Sequence, residues 1–126
     1  MKEIFSTDKA PAALGPYSQG ICTDGLMFVS GQTPIDSATG DLVPGGITEQ
    51  THQALRNVRV ILETAGLTMD NVVKTTVFLH DMNDFAAMNA VYGTYFTAGN
   101  YPCRSAFQVV RLPKDCMVEI EAIAVR

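Results

Sequence analysis

The chain of 126 residues has no tryptophan, only three cysteines, and fewer basic than acidic side chains, nine Lys and Arg against thirteen Asp and Glu. A formal charge of −4 and a pI near 4.9 have the wrong sign for binding by phosphate neutralisation, so nucleic acid is not an expected partner. Cys22, Cys103 and Cys116 are odd in number and form no CxxC pair, which points to reduced thiols and away from a disulfide framework or a zinc site. His52 and His80 share no ligand spacing with each other or with Cys or Asp pairs, so no metal is expected. GxGxxG and Walker loops are absent, and Gly45-Gly46 has neither the lysine nor the spacing of a phosphate cradle, so no nucleotide cofactor is indicated. No apolar run approaches the ~18 residues of a membrane-spanning helix. The opening Met1-Lys2-Glu3-Ile4-Phe5 reads as neither signal nor transit peptide, which makes the cytoplasm the expected compartment.

What the chain does have is apolar material. Hydrophobic residues make up 47% against 17% charged, enough for one core, and the length fits a single domain over residues 1–126. Asp24-Gly25 between strand-forming stretches around Ile21 and Phe28-Val29 predicts a hairpin over Tyr17–Ser30. Gly31 to Gly46 is rich in Pro, Gly, Asp, Ser and Thr and reads as a long, functional connection. Thr48 is the expected N-cap of a helix whose apolar positions are Leu55, Val58, Ile61, Leu62 and Ala65 and whose stop is Gly66. Val72 to His80 is a strand by its β-branched and aromatic content. A second helix is expected after Asn83-Asp84, with Phe85, Met88, Val91, Tyr92, Tyr95 and Phe96 as its core face. Strands over Ser105–Leu112 and Val118–Val125 follow, joined by a turn at Pro113-Lys114-Asp115.

This order predicts an α+β layer with both helices on one face of a single sheet. In the last strand Val118, Ile120, Ala122 and Ala124 point one way, while Glu119, Glu121, Ile123 and Val125 point the other. The second face is therefore also partly apolar, and another copy of the chain is the simplest cover for it; polar residues there would then lie between subunits.

Chemistry concentrates in a few places. Arg104 immediately precedes a predicted strand, where its planar fork could receive a carboxylate or form a structural ion pair. Glu119 and Glu121 share a face about 6–7 Å apart along their strand, a spacing open to proton handling or to pairing with Arg104 or Arg111. Trp-free surroundings disfavour paired-carboxylate sugar hydrolysis. Ser30-Gly31 ends a strand where a hydroxyl and an N–H could meet a small anion. Cys103 could be a thiolate favoured by Arg104, but all three cysteines are better read as small buried apolar side chains. Tyr92, Tyr95 and Phe96 have the spacing of core packing, without the basic neighbours of an RNA-stacking stripe.

Taken together, Gly15-Pro16-Tyr17-Ser18-Gln19-Gly20, Ser30-Gly31-Gln32, Lys74-Thr75-Thr76-Val77-Phe78, Arg104-Ser105, Arg111-Leu112-Pro113-Lys114-Asp115 and the run from Val118 to Val125 resemble the Rid (YjgF) family, in its reactive intermediate deaminase A branch. The resemblance covers about Ile4 to Arg126. It implies a chorismate-mutase-like α+β fold, a homotrimer with its sheets facing the centre and sites in the clefts between subunits. It also implies cofactor-free hydrolysis of 2-imino acids, such as 2-iminopropanoate and 2-iminobutanoate, to 2-keto acids and ammonia, which removes reactive intermediates. Arg104 would then hold the substrate carboxylate and Glu119 would deprotonate water, with Glu121 the alternative. Tyr17, Ser30, Gly31, Asn89 and Ala106 would line the pocket. Ala106 stands where well-studied members of the family have cysteine, so a thiol-dependent property is not expected at that position.

Overall fold

A computed structural model describes residues 1–126. Its main sheet contains β1 (Glu3–Phe5), β2 (Gly20–Thr23), β3 (Leu26–Gln32), β6 (Val72–Leu79), β7 (Cys103–Gln108) and β8 (Val118–Val125), in the order β1-β2-β3-β8-β6-β7. All pairs are antiparallel except β6 with β7. α1 (Ile47–Thr64) and α2 (Phe85–Tyr92) cover one face. β4 (Ile35–Asp36) and β5 (Asp41–Leu42) form a small separate hairpin within the Gly31–Gly46 connection.

The core lies between helices and sheet. Leu55, Val58, Ile61 and Leu62 of α1 and Met88 of α2 are fully buried, as are Val77, Leu79, Val118 and Ile120 of the sheet. β8 occupies the middle of the sheet because one of its faces is apolar throughout, and its alternation follows the sequence pattern. On the other face Phe28, Phe107 and Val125 are each about two-fifths exposed, and no element of the chain covers them.

Local chemistry explains the element boundaries. Asp24 and Gly25 both have positive φ, as a two-residue turn matching strand twist requires, and Thr23 pairs with Leu26 across it. Gly66, also at positive φ, ends α1, and its N–H donates to the Glu63 carbonyl (3.0 Å).

Four expectations need correction. α1 starts one residue before Thr48: its N-cap is Gly46, whose N–H donates to the Glu49 carboxylate (2.8 Å), and Thr48 falls in the first turn. α2 ends at Tyr92, and Gly93–Tyr95 continues as a tighter turn, since Gly93 weakens the helix; Asp84 is its N-cap, as expected, but makes no capping hydrogen bond, and the carboxylate that accepts from a backbone N–H is that of Asp81, which caps the short turn Met82–Asp84 before α2. β3 runs through Ser30-Gly31 to Gln32, with a bulge between Val29 and Gln32, so that pair does not end the strand. β7 ends at Gln108 rather than Leu112, and it does not pair with β8. The chain leaves β6 there to cross from the sheet edge to its centre through a turn in which Lys114 and Asp115 both have positive φ.

Buried amides fasten the loops. Gln19 accepts from the Thr7 N–H (2.7 Å) and donates to the Thr7 and Pro11 carbonyls. Asn57 on α1 donates to the carbonyls of Thr33 and Ile35, 3.0 Å each, and so fixes the entrance to the β4–β5 hairpin. Gln50 accepts from the Met117 N–H (2.8 Å) at the entrance to β8.

Candidate functional site

Glu119 sits on the uncovered face of β8 beside the bulge in β3. Glycine at position 31 makes this possible: a Cβ there would fall within the Glu119 carboxylate. Burial, with a smaller contribution from the Glu121 charge, raises the Glu119 pKa above its ordinary value. Its carboxylate has no hydrogen-bond or ion-pair partner in the chain, so neither Arg104 nor Arg111 neutralises it; Arg111 instead contacts Asp115 at 2.7 Å. The group is poised to take up or release a proton. It opens into a cleft of about 620 Å³ whose walls come from Ala10–Leu14, Tyr17, the β4–β5 hairpin and Pro113-Lys114. Tyr17 is half exposed there.

Glu121, two residues on, is exposed and faces a neighbouring depression of about 270 Å³ with Ser30, Lys74 and Thr76. The bulge thus separates Ser30 from Gly31. The Ser30 hydroxyl donates to the Ser18 carbonyl (2.6 Å) and its N–H to the Gln19 carbonyl (3.0 Å), so neither is left to donate to an anion. That revises the expectation of a hydroxyl donor at this point; the oxygen can still accept.

Arg104 is the second residue of β7 and lies inside the strand, not ahead of it. Its Nη1 donates to Asn89 Oδ1 (2.6 Å), and its guanidinium lies 4.8 Å from the Tyr92 ring centre and 5.4 Å from that of Phe85. It forms no ion pair within the chain. Ala106 follows on the same face and packs partly against the core, and a cleft of about 430 Å³ bounded by Asn89, Tyr92, Tyr101 and Pro102 opens beside Arg104.

The strand register shows which of these residues meet. Arg104 stands opposite Thr75, which is buried on the helix side, while Glu119 stands opposite Phe78, which stacks edge-on with Phe107 on the uncovered side. One chain therefore gathers Tyr17, Gly31 and Glu119 at one place and Arg104, Asn89 and Ala106 at another, on opposite faces of the sheet.

Cys22 and Cys116 are buried, and burial pushes the Cys116 thiol up to about 11. Cys103 is exposed, contrary to the expectation of a buried apolar side chain, because it sits on the uncovered face at the edge strand. The alternation that exposes it directs its thiol away from the Arg104 guanidinium. His52 shares a hydrogen bond with Tyr95 (3.0 Å), and His80 lies at the surface just beyond the end of β6 at Leu79, where the expected strand had included it. No three His, Cys, Asp or Glu side chains converge, and no helix is long and apolar enough to cross a membrane. Sequence reasoning missed Phe85, Thr75 and the guanidinium contact of Tyr92. The spacing of Phe85, Asn89 and Tyr92 at i, i+4 and i+7 was the available signal.

Residues 7–126 match the family model Endoribonuclease L-PSP. The chain is 52% identical over 126 residues to the mouse protein 2-iminobutanoate/2-iminopropanoate deaminase, covering all of this chain and 93% of that one. Its fold is similar to the crystal structure of the YjgF gene product from E. coli, at a TM-score of 0.92 and 46% identity, covering 98% of each chain. It is likewise similar to E. coli TdcF with bound serine, at a TM-score of 0.92 and 45% identity over 98% of each chain.

Proposed function

We propose, on the premise that this chain belongs to the Endoribonuclease L-PSP (YjgF/Rid) family, that it is a hydrolytic deaminase of 2-imino acids such as 2-iminopropanoate and 2-iminobutanoate. The observation that carries this reading is an arginine with no internal carboxylate partner, available to an external one, in a chain that also holds an unpaired, half-buried glutamate.

The substrate's carboxylate pairs with the Arg104 fork. Glu119, as carboxylate, accepts a proton from water while the water oxygen bonds to C2 and the C=N electron pair moves to nitrogen. Glu119 then gives that proton to the nitrogen and, again a carboxylate, takes the proton of the new hydroxyl as the C2 carbonyl forms and the C–N bond breaks; ammonia leaves with a 2-keto acid, and Glu119 returns the proton to the ammonia or to solvent. An iminium carbon is already a strong electrophile, so orientation and one proton relay supply the catalysis. Tyr17 and Gly31 line the Glu119 side, Ser30 the adjoining depression beside Glu121, and Asn89 and Ala106 the Arg104 side.

Because Arg104 and Glu119 occupy opposite faces of one sheet, the working site is shared between copies. Three chains with their uncovered faces turned inward bury Phe28, Phe107 and Val125 and bring the Arg104 edge of one copy to the Glu119 cleft of the next. The physiological role that follows is removal of reactive imines before they damage other proteins.

The test is release of keto acid and ammonia while a threonine or serine dehydratase generates imine in situ. Acceleration by the wild type, lost in Arg104→Ala and Glu119→Gln, supports the reading. No acceleration over the dehydratase alone defeats it and leaves a pocket that binds without turnover.

A further inference from the structure

Arg104 is held differently from the other fixed arginines of the chain. Arg59, Arg111 and Arg126 each contact a carboxylate, those of Glu63, Asp115 and Glu3, even though Arg59 and Arg126 also lie over one ring each, of Tyr95 and Phe5. Arg104 contacts instead a neutral amide oxygen and two aromatic faces, all three from α2. Phe85, Asn89 and Tyr92 are spaced i, i+4 and i+7, so one face of this short helix is aimed at one guanidinium.

The arrangement is itself anchored. The Tyr92 hydroxyl shares a 2.6 Å hydrogen bond with Thr75 Oγ1, and both residues are buried. Thr75 is also the β6 residue that pairs with Arg104 in the parallel ladder. One residue therefore registers the arginine's backbone and pins the ring against which its side chain rests.

A carboxylate neighbour would orient the guanidinium equally well, but it would compete with an incoming anion for the same fork. Aromatic faces and an amide oxygen orient the cation without occupying the anion's place. They also remove, at folding, rotamer freedom that a mobile arginine would lose on binding.

We propose that Phe85, Asn89 and Tyr92, with Thr75 behind them, form a preorganising cradle that fixes Arg104 to receive a planar carboxylate. They are positioning residues, and the inference rests on the reading of Arg104 as the carboxylate receptor. It assigns α2 a task beyond core packing.

The test uses the full-length, 15N-labelled protein and two readouts, the mobility and ring-current shift of the Arg104 Nε–H signal, and affinity for 2-oxobutanoate as a carboxylate probe. In the wild type the signal is rigid and ring-shifted. Phe85→Leu and Tyr92→Leu each loosen it and weaken 2-oxobutanoate binding about fivefold, with kcat for imine hydrolysis less affected than KM. Tyr92→Phe restores the ring and recovers most of that affinity, although it melts lower because Thr75 loses its buried partner. A wild-type Arg104 signal as mobile as that of a free surface arginine, or leucine variants that bind as tightly as wild type, overturns the cradle. Wild-type affinity in Arg104→Ala overturns the carboxylate reading instead, and the Nε–H signal of the unsubstituted chain still judges the cradle.

Discussion

Replacing Gly31 with alanine should disable the site while leaving the fold intact. The backbone at this position is not in the left-handed region, so alanine adopts it without strain. The added Cβ would stand 2.9 Å from the Glu119 carboxyl carbon and 3.3 Å from its Cγ. Non-bonded carbons settle at about 3.5–4.0 Å, so the carboxyl carbon must retreat by about 0.6–1.1 Å. Glu119 makes no hydrogen bond or ion pair that would resist this, and stability should change by less than about 1 kcal/mol. A catalytic group misplaced by about 1 Å costs on the order of 10²-fold in rate, or ~2.7 kcal/mol of barrier. The assay is dehydratase-coupled release of keto acid and ammonia, run beside a thermal melt of the same preparation. Wild-type turnover with a wild-type melt would refute the steric argument and, with it, the role given to Glu119.

Arg104→Ala is expected to assemble normally and lose turnover, and Arg104→Lys to recover little, because a lysine ammonium reproduces neither the fork nor the stacking on Tyr92; size-exclusion chromatography and the coupled assay check both. Burial raises the Glu119 pKa, so the folded state binds this proton more tightly than the unfolded one, and the ionised carboxylate opposes folding as pH rises above an ordinary glutamate value of about 4.3. Glu119→Gln is therefore expected to melt higher than wild type at neutral pH and to lose that advantage in acid, which melts across a pH series would reveal. The wild-type rate should rise with pH through the same raised pKa. Asn57→Ala leaves the Thr33 and Ile35 carbonyls without their donor, at a cost of about 1–3 kcal/mol, and loosens the wall of the Glu119 cleft; a lower melting temperature accompanied by a higher KM is the expected pair of results.

Elements with strong local signals are legible in the amino-acid sequence. The Asp24-Gly25 turn, the apolar stripe of α1, the Gly66 stop and the two-faced alternation of β8 are each set by residues within a few positions of one another. Elements decided by distant partners are not. β1 is a strand because it lies against β2 far along the chain, and the end of β7 is dictated by where β6 ends. The amides of Gln19, Gln50 and Asn57 are polar in sequence yet buried in the fold, since each satisfies a loop backbone that no local pattern identifies. At the site, residue types and strand alternation put Glu119 on the uncovered face. They carry no hint that Gly31 clears space for it, a consequence of the β3 bulge, or that Arg104 faces the other way, a consequence of its parallel pairing with Thr75.

That last placement yields the most direct test of the account, which is complementation between two inactive chains. Arg104→Ala and Glu119→Gln are purified separately, unfolded and refolded together in equal amounts, and imine hydrolysis is measured. Each variant alone should be inactive. A site built from Arg104 of one copy and Glu119 of its neighbour is intact at about a quarter of the interfaces in a random mixture, so about a quarter of wild-type activity should return. No recovery in mixed assemblies would contradict a shared site, and full activity in either variant alone would contradict the chemistry assigned to that residue.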